Sequence, residues 1–254
     1  MSTQNRIAIA GAIIIVAAIS GAATPTEEYA AIASKIYLGK SPGSRTLEPI
    51  SSDAFRGLVG NLDQLIEREV GAALNSSPTP TSKQIVGRIN DIQGDYASTG
   101  FFGQGGPFAA GGPQDMPPTF AVGFAVMAGG LAIPTPQPTI AFFVKDTGGW
   151  KLKAETSDDL RDLTLDMQQV NSKMPGQMWL LVSGRRTGDT GARLNVRLYS
   201  FDGAEVKSLW SRDALVAGSV LVEGDSITLE YDEQYHTAAP RVVEKHYLAP
   251  SGVL

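Results

Sequence analysis

Cysteine is absent from the 254-residue chain, and histidine occurs only at His236 and His246. The first absence excludes a disulfide framework, a thiolate metal site, a cysteine nucleophile and a lipid-bearing cysteine after a leader. The second leaves no pair of histidines at the spacing of a zinc-binding helix. Basic residues are also scarce. With 21 Lys and Arg against 26 Asp and Glu, the net charge is −5 and the pI near 5.1, whereas nucleic-acid binders ordinarily carry a basic field. S-x-x-K does not occur, and the single G-x-S-x-G, Gly39 to Gly43, follows an expected helix rather than the strand that a serine nucleophile elbow needs. A reaction site built from distant residues needs no such signature, which leaves catalysis unsupported rather than excluded.

What is present begins at the N-terminus. Arg6 precedes an apolar run from Ile7 to Ala23 that ends in the small residues Gly21, Ala22 and Ala23 just before Pro25. A positive start, an apolar middle and a small-residue site are the parts of a secretory signal. The run falls short of the roughly 20 apolar residues wanted for a bilayer span. Residues 1–23 are therefore expected to be a signal peptide, with an uncleaved membrane anchor as the alternative. The expected location is periplasmic or secreted, or else membrane-anchored by this segment.

Residues 24–50 read as a flexible stem containing a short helix over 27–38, with Tyr29, Ile32 and Ile36 near one face. Residues 51–254 read as a single globular domain with a subdivision point near 171–176. Ser51, Ser52 and Asp53 are good helix caps, and Phe55, Leu58, Val59, Leu62, Leu65, Ile66 and Leu74 follow a helical period behind them. A linker, NSSPTPTS, precedes a second helix carrying Ile85, Val86, Ile89 and Ile92. Residues 99–118 are so rich in Gly and Pro that a long loop is expected.

Beyond that loop the period becomes that of strands: 119–127, 139–145 and 150–155, the last two joined by a tight turn at Asp146 to Gly149. A helix is expected from Ser157, because Leu160, Leu163, Met167 and Val170 lie three, four and three residues apart. Further strands are expected over 177–185, 193–201, 204–210, 219–222, 226–232 and 241–248, with turns at Asp202-Gly203 and Gly224-Asp225. The fold class is thus α+β: short helices after the leader, then a largely antiparallel meander, as a curved or barrel-like sheet, with one interposed helix.

Several features invite chemistry. In the Gly-rich loop, Gly103 and Gly105 are followed by Phe108 where a dinucleotide fingerprint needs glycine, and Gly106 and Gly111 by Gly112 where a P-loop needs lysine. No cofactor is expected. Asp158, Asp162 and Asp166 would stack on one helix face, where a solvated charge run is the plainer reading than a metal site. Arg185, Arg186, Arg193 and Arg197 surround one hairpin tip, with Tyr199 and Phe201 continuing the side of Arg193 and Arg197. That pattern suits single strands or anionic glycans, but the acidic balance favours a solvated tip with an aromatic belt. Trp150, Trp179 and Trp210 sit near strand ends, where packing is the usual role. Asn75-Ser76-Ser77 has the form of a glycosylation sequon.

The order of helices, long loop and hairpins ending in a Trp-Lys-Leu strand, over Ser51 to Phe201, resembles the cone-shaped folds of the nuclear-transport-factor-2-like class, although no diagnostic motif carries the resemblance. It implies a curved sheet roofed by helices. The strands after Phe201 exceed that pattern and suit an up-and-down barrel or two packed β subdomains better. The functional expectation is an exported, non-enzymatic binding or envelope-associated module that takes a small apolar ligand or a protein partner, with no nucleic acid and no metal. The alternative is a hydrolase or isomerase whose site is assembled from scattered Asp, Tyr and His.

Overall fold

The computed structural model describes residues 23–37, 52–99, 104–107, 116–126, 138–156, 165–188, 191–233, 240–250 and 252–253. The expected signal at 1–23 falls almost wholly outside them, as do His236, Asp158 and Asp162. Three helices come first: α1 Pro25–Tyr37, α2 Ser52–Ser76 and α3 Ser82–Gln93. Thr81 opens α3 with a reciprocal cap. Its hydroxyl accepts the Gln84 N–H, and the Gln84 side chain accepts the Thr81 N–H, which satisfies amides that a helix start leaves free. On α2, Leu62, Leu65, Ile66, Val70 and Leu74 form the buried stripe that their spacing predicts. Tyr29, Ala33 and Ile36 of α1 are buried in the same cluster, so this part of the 24–50 stretch belongs to the core.

Two antiparallel sheets follow. Strands β1 Gln104–Pro107, β2 Thr119–Ala125, β3 Pro138–Asp146 and β4 Gly149–Thr156 form the first, in the order β1-β2-β3-β4. The second contains β5 Leu165–Val170, β6 Met178–Gly188, β7 Gly191–Phe201, β8 Val206–Glu223, β9 Ser226–Asp232, β10 Arg241–Ala249 and β11 Gly252–Val253, hydrogen-bonded in reverse chain order from β11 to β5. The fold is α+β with antiparallel sheets.

β2 and most of β3 are buried on both faces, which is why they read as nearly continuous apolar runs. Phe120, Val122, Phe124, Ala141 and Phe143 face the helices. The alternate residues Ala121, Ile140, Phe142 and Val144 pack against Met178, Leu180, Val182, Tyr199 and Phe201 of the second sheet. The rings of Phe142 and Phe201 stack at 4.7 Å. The opposite face of the second sheet encloses its own cluster, in which Trp179, Leu181, Val196 and Leu198 meet Leu215, Ile227, Leu229 and Leu248.

That sheet must therefore curl. Lys173, in the β5–β6 connection, ion-pairs with Asp225 in the β8–β9 turn, although β5 and β8 stand three strands apart in the sheet. In a flat sheet they would be separated by about 14 Å.

Four expectations are corrected. The interposed helix is a strand in its second half, because β5 pairs with β6 from Leu165↔Gly184 to Val170↔Trp179. Its three-four-three apolar spacing imitates a helix, and pairing with a central strand overrides it. The Gly-Pro stretch contains β1, which holds an edge position where Pro107 is tolerated. The two strands expected over 204–210 and 219–222 are one bent strand, β8. It turns through Ala214 and Ala217, both at positive φ, and Gly218 makes the bend possible: a Cβ there would lie 2.9 Å from the Leu194 and Leu215 Cβ atoms. Finally, the described residues build two sheets rather than one curved sheet roofed by helices, and the described helices cover only the first.

The β7–β8 connection spans Asp202 to Glu205, with Asp202 Oδ1 accepting the N–H groups of Ala204 at 3.0 Å and Glu205 at 2.8 Å. Gly203 sits there at φ +94 with open space around a Cβ, so a side chain at this position is opposed by backbone strain alone. Gly203→Val is expected to cost about 1–3 kcal/mol. Chemical denaturation of the two proteins checks this, and equal midpoints would contradict it.

Candidate binding site on the seven-stranded sheet

The strand β10 (RVVEKHYLA) alternates between two chemistries. Val242, Glu244, His246 and Leu248 point to the concave side, where Leu248 is buried in the sheet's own core. Arg241, Val243, Lys245 and Tyr247 point outward.

On the concave side, Glu244 is the hub of a polar network. Its Oε1 accepts from the Tyr231 hydroxyl at 2.6 Å and from Arg212 Nη2. Its Oε2 lies 3.1 Å from His246 Nε2. The His246 ring sits 5.0 Å from that of Trp210. β8 supplies Trp210 and Arg212, β9 supplies Tyr231, and β10 supplies Glu244 and His246, so one carboxylate ties three strands together. The Tyr231 hydrogen bond first, then those of His246 and Arg212, hold Glu244 below its ordinary range despite partial burial. The same bond to Glu244 raises Tyr231. Both groups are pushed away from neutrality, Glu244 toward the ionised form and Tyr231 toward the protonated one.

The outward side is different. Register sets Val243 opposite Glu230 and Ser219, Lys245 opposite Thr228 and Leu221, and Tyr247 opposite Ser226. Leu221, Val243 and Tyr247 are 55%, 60% and 56% exposed, three large apolar side chains on one face of β8 and β10, with Thr228 and Glu230 of the intervening β9 and Lys245 of β10 among them. Polar residues lie between and around them. Arg241 pairs with Glu230 and Asp232, and the Lys245 ammonium lies 5.7 Å from the Tyr247 ring centre. The first sheet packs on β5 to β7 and on Val206 at the start of β8, and β9 and β10 extend past it.

The residues singled out from sequence are dispersed. Arg197 ion-pairs with Asp213 and is nearly buried, while Tyr199 and Phe201 lie in the core between the sheets. The aromatic belt is therefore packing, not a ligand platform. Arg185 is on the other face, where with Asp166, Ser183, Leu194, Ser219 and Val220 it lines a small open cavity of about 270 Å³. Trp150 and Trp179 are buried, and Trp210 is half-buried. Asn75 is committed within the fold. Its Oδ1 accepts the Trp150 N–H at 2.7 Å, and its Nδ2 donates to the carbonyls of Trp150 and Gly71, pinning α2 to the edge of β4. Among the described residues no group of three or more His, Cys, Asp or Glu is placed to hold a metal ion, and no helix is long and apolar enough to cross a membrane.

Comparison with known protein families, with curated proteins and with solved structures finds no match to this chain.

Depression of the Glu244 carboxyl gives a signed pH effect. The unfolded chain carries the ordinary value of 4.5 and the folded chain a lower one. The resulting stabilisation is complete above 4.5 and disappears as pH falls through the folded value. Glu244→Gln should destabilise by roughly 1 kcal/mol at neutral pH, below the usual range for bonds to charged groups because solvent screens the partly exposed side chain. The gap to wild type should close toward about pH 3. Thermal melts at the two pH values check it, and a gap that is constant or widens in acid would contradict it.

Proposed function

We propose that this chain is an exported, non-enzymatic binding or envelope-associated module, and that its partner is a protein met by the outer face of β8, β9 and β10. The observation that carries the reading is the exposed trio Leu221, Val243 and Tyr247. Exposed aromatic and aliphatic side chains interleaved with polar ones on one sheet face have the mixed composition of protein interaction surfaces. The Glu244 network behind them favours recognition over turnover. Each carboxylate oxygen is occupied, and the shifts of Glu244 and Tyr231 oppose proton exchange near neutral pH, where a general acid or base is most effective. A small apolar ligand is the weaker reading, because Phe142, Tyr199 and Phe201 fill the space between the sheets and the cavity at Arg185 is largely polar-lined. Export is supported by the apolar run that follows Arg6.

A hydrolase or isomerase remains the second reading, favoured by one specific feature. Glu244 orients His246 and Tyr231 beside the Trp210 ring, an arrangement of base, orienter and hydroxyl.

The test is affinity capture from the native host with wild type, with Leu221→Lys/Val243→Lys, and with His246→Ala, combined with intact-mass measurement of the recovered chain. The proposal expects a chain lacking about the first 20 to 25 residues. It also expects captured proteins whose recovery falls at least about tenfold in the double variant, a loss of 1.4 kcal/mol or more, and stays level in His246→Ala. An unchanged capture profile in the double variant contradicts the proposed face. Turnover of a chromogenic ester or glycoside panel that vanishes in His246→Ala would establish the second reading.

A further inference from the structure

Asp63 and Glu67 stand one turn apart on α2, beside the buried Leu62, Ile66 and Val70. Glu67 is only 8% exposed, and its Oε1 is buried with no donor facing it. Across from them lies Glu155 of β4, brought there by a bulge. Phe142 pairs with Ala154 and Phe143 with Leu152, so Lys153 is left over and the strand changes face. As a result Trp150 and Glu155 both lie on the side of the helices, and Ala141, which belongs to the helix-facing core, is the residue opposite Glu155. From β3, the Thr139 hydroxyl lies 3.4 Å from Asp63 Oδ1.

The surrounding charges are engaged elsewhere. On α1, Glu28 pairs with Arg68, and on α3, Arg88 pairs with Glu69. On the hairpin, Lys145 lies over the Trp150 ring and Lys151 pairs with Asp146. β2 carries no charged residue. Among the described residues none of these ion pairs includes Asp63, Glu67 or Glu155. Glu67 and Glu155 can hydrogen-bond to each other only when one of them carries a proton.

We propose that a proton shared between Glu67 and Glu155, with Asp63 beside them, holds α2 on the four-stranded sheet, and that this contact loosens when the surroundings turn alkaline. Burial, then the hydrogen bond and charge of Glu155, then the charge of Asp63 raise Glu67 to about 9. Burial and the charge of Glu155 raise Asp63 to about 7, against the Thr139 hydroxyl. For a carboxyl raised in the folded state, the stabilisation is complete below the unfolded value and is lost as pH climbs through the folded one. The loss therefore runs through neutral into alkaline pH, opposite in direction to the Glu244 effect.

The test is thermal melting of the full chain at about pH 6 and about pH 9.5, with amide hydrogen exchange corrected for intrinsic rates. Wild type should melt several degrees lower at the alkaline pH. Exchange in α2 should rise at least about tenfold relative to β6 and β7, the factor that one pH unit of linkage supplies. Glu67→Gln supplies a permanent donor and should flatten both responses. Glu155→Gln changes an exposed side chain and serves if the first variant fails to fold. Its melting temperature should likewise fall less than that of wild type. Wild-type melting and α2 exchange that ignore pH, or variants that keep the full wild-type drop, overturn the proposal.

Discussion

The stacked rings of Phe142 and Phe201 mark the contact on which the rest of the molecule depends, the burial of one sheet against another. Because the second sheet covers one face of β3 and the helices cover the other, β2 and β3 have no solvent face and must be apolar throughout. Removing the second sheet would bare the Ala121, Ile140, Phe142 and Val144 face. Removing the helices would bare Phe120, Phe124 and Phe143. Each of these layers covers apolar surface of its neighbour, in the order helices, four-stranded sheet, seven-stranded sheet.

The two sheets differ in width, and this has functional consequences. Four strands cannot cover seven, so β8 to β10 continue past the shared core and curl over the concave side. The bend is local to β8, where Ala214 and Ala217 take positive φ and Gly218 admits the close approach of Leu194 and Leu215. A residue other than glycine in that conformation costs of order 1 kcal/mol, a cost that burial of Leu215 and its neighbours offsets. Asn195 supports the same bend, its Oδ1 accepting the Ala214 N–H at 2.8 Å. The ribbon so produced is clamped from within by the Glu244 network and offers Leu221, Val243 and Tyr247 outward. Rigidity on one side and exposed apolar surface on the other suit a preformed docking face, since little ordering is then left to oppose association.

Much of this was legible in the sequence. The turns at Asp146 to Gly149 and at Gly224-Asp225 have residues of suitable conformational freedom, and strands form on both sides of each, β9 at its expected bounds. The antiparallel meander follows from such turns. Legibility failed where tertiary pairing overrode local pattern. β5 carries helical spacing yet docks beside β6, and β1 ends in Pro107, which an edge strand accepts. The bulge at Lys153 reverses the facing of Glu155, and no local propensity announces it. The site residues follow the same division. Glu244 and His246 lie two apart on a strand whose same face holds Leu248, a pattern that places polar groups on an apolar side and could have marked the network. The partners Arg212 and Tyr231 come from other strands, through pairings that the sequence does not state. For Asp63 and Glu67 the available signal was their spacing of four beside Leu62 and Ile66, which puts two carboxyls at the margin of a buried stripe.

The central claim, that the two sheets share a core through aromatic stacking, is tested most directly by a double-mutant cycle on Phe142→Ala and Phe201→Ala, measured as unfolding free energy in denaturant. Each single change is expected to cost about 3–5 kcal/mol, as for a buried phenylalanine, with a coupling of about 0.5–1.5 kcal/mol between them. Small, strictly additive losses would contradict the account, because they would mean that these rings do not meet and that the sheets are not packed face to face.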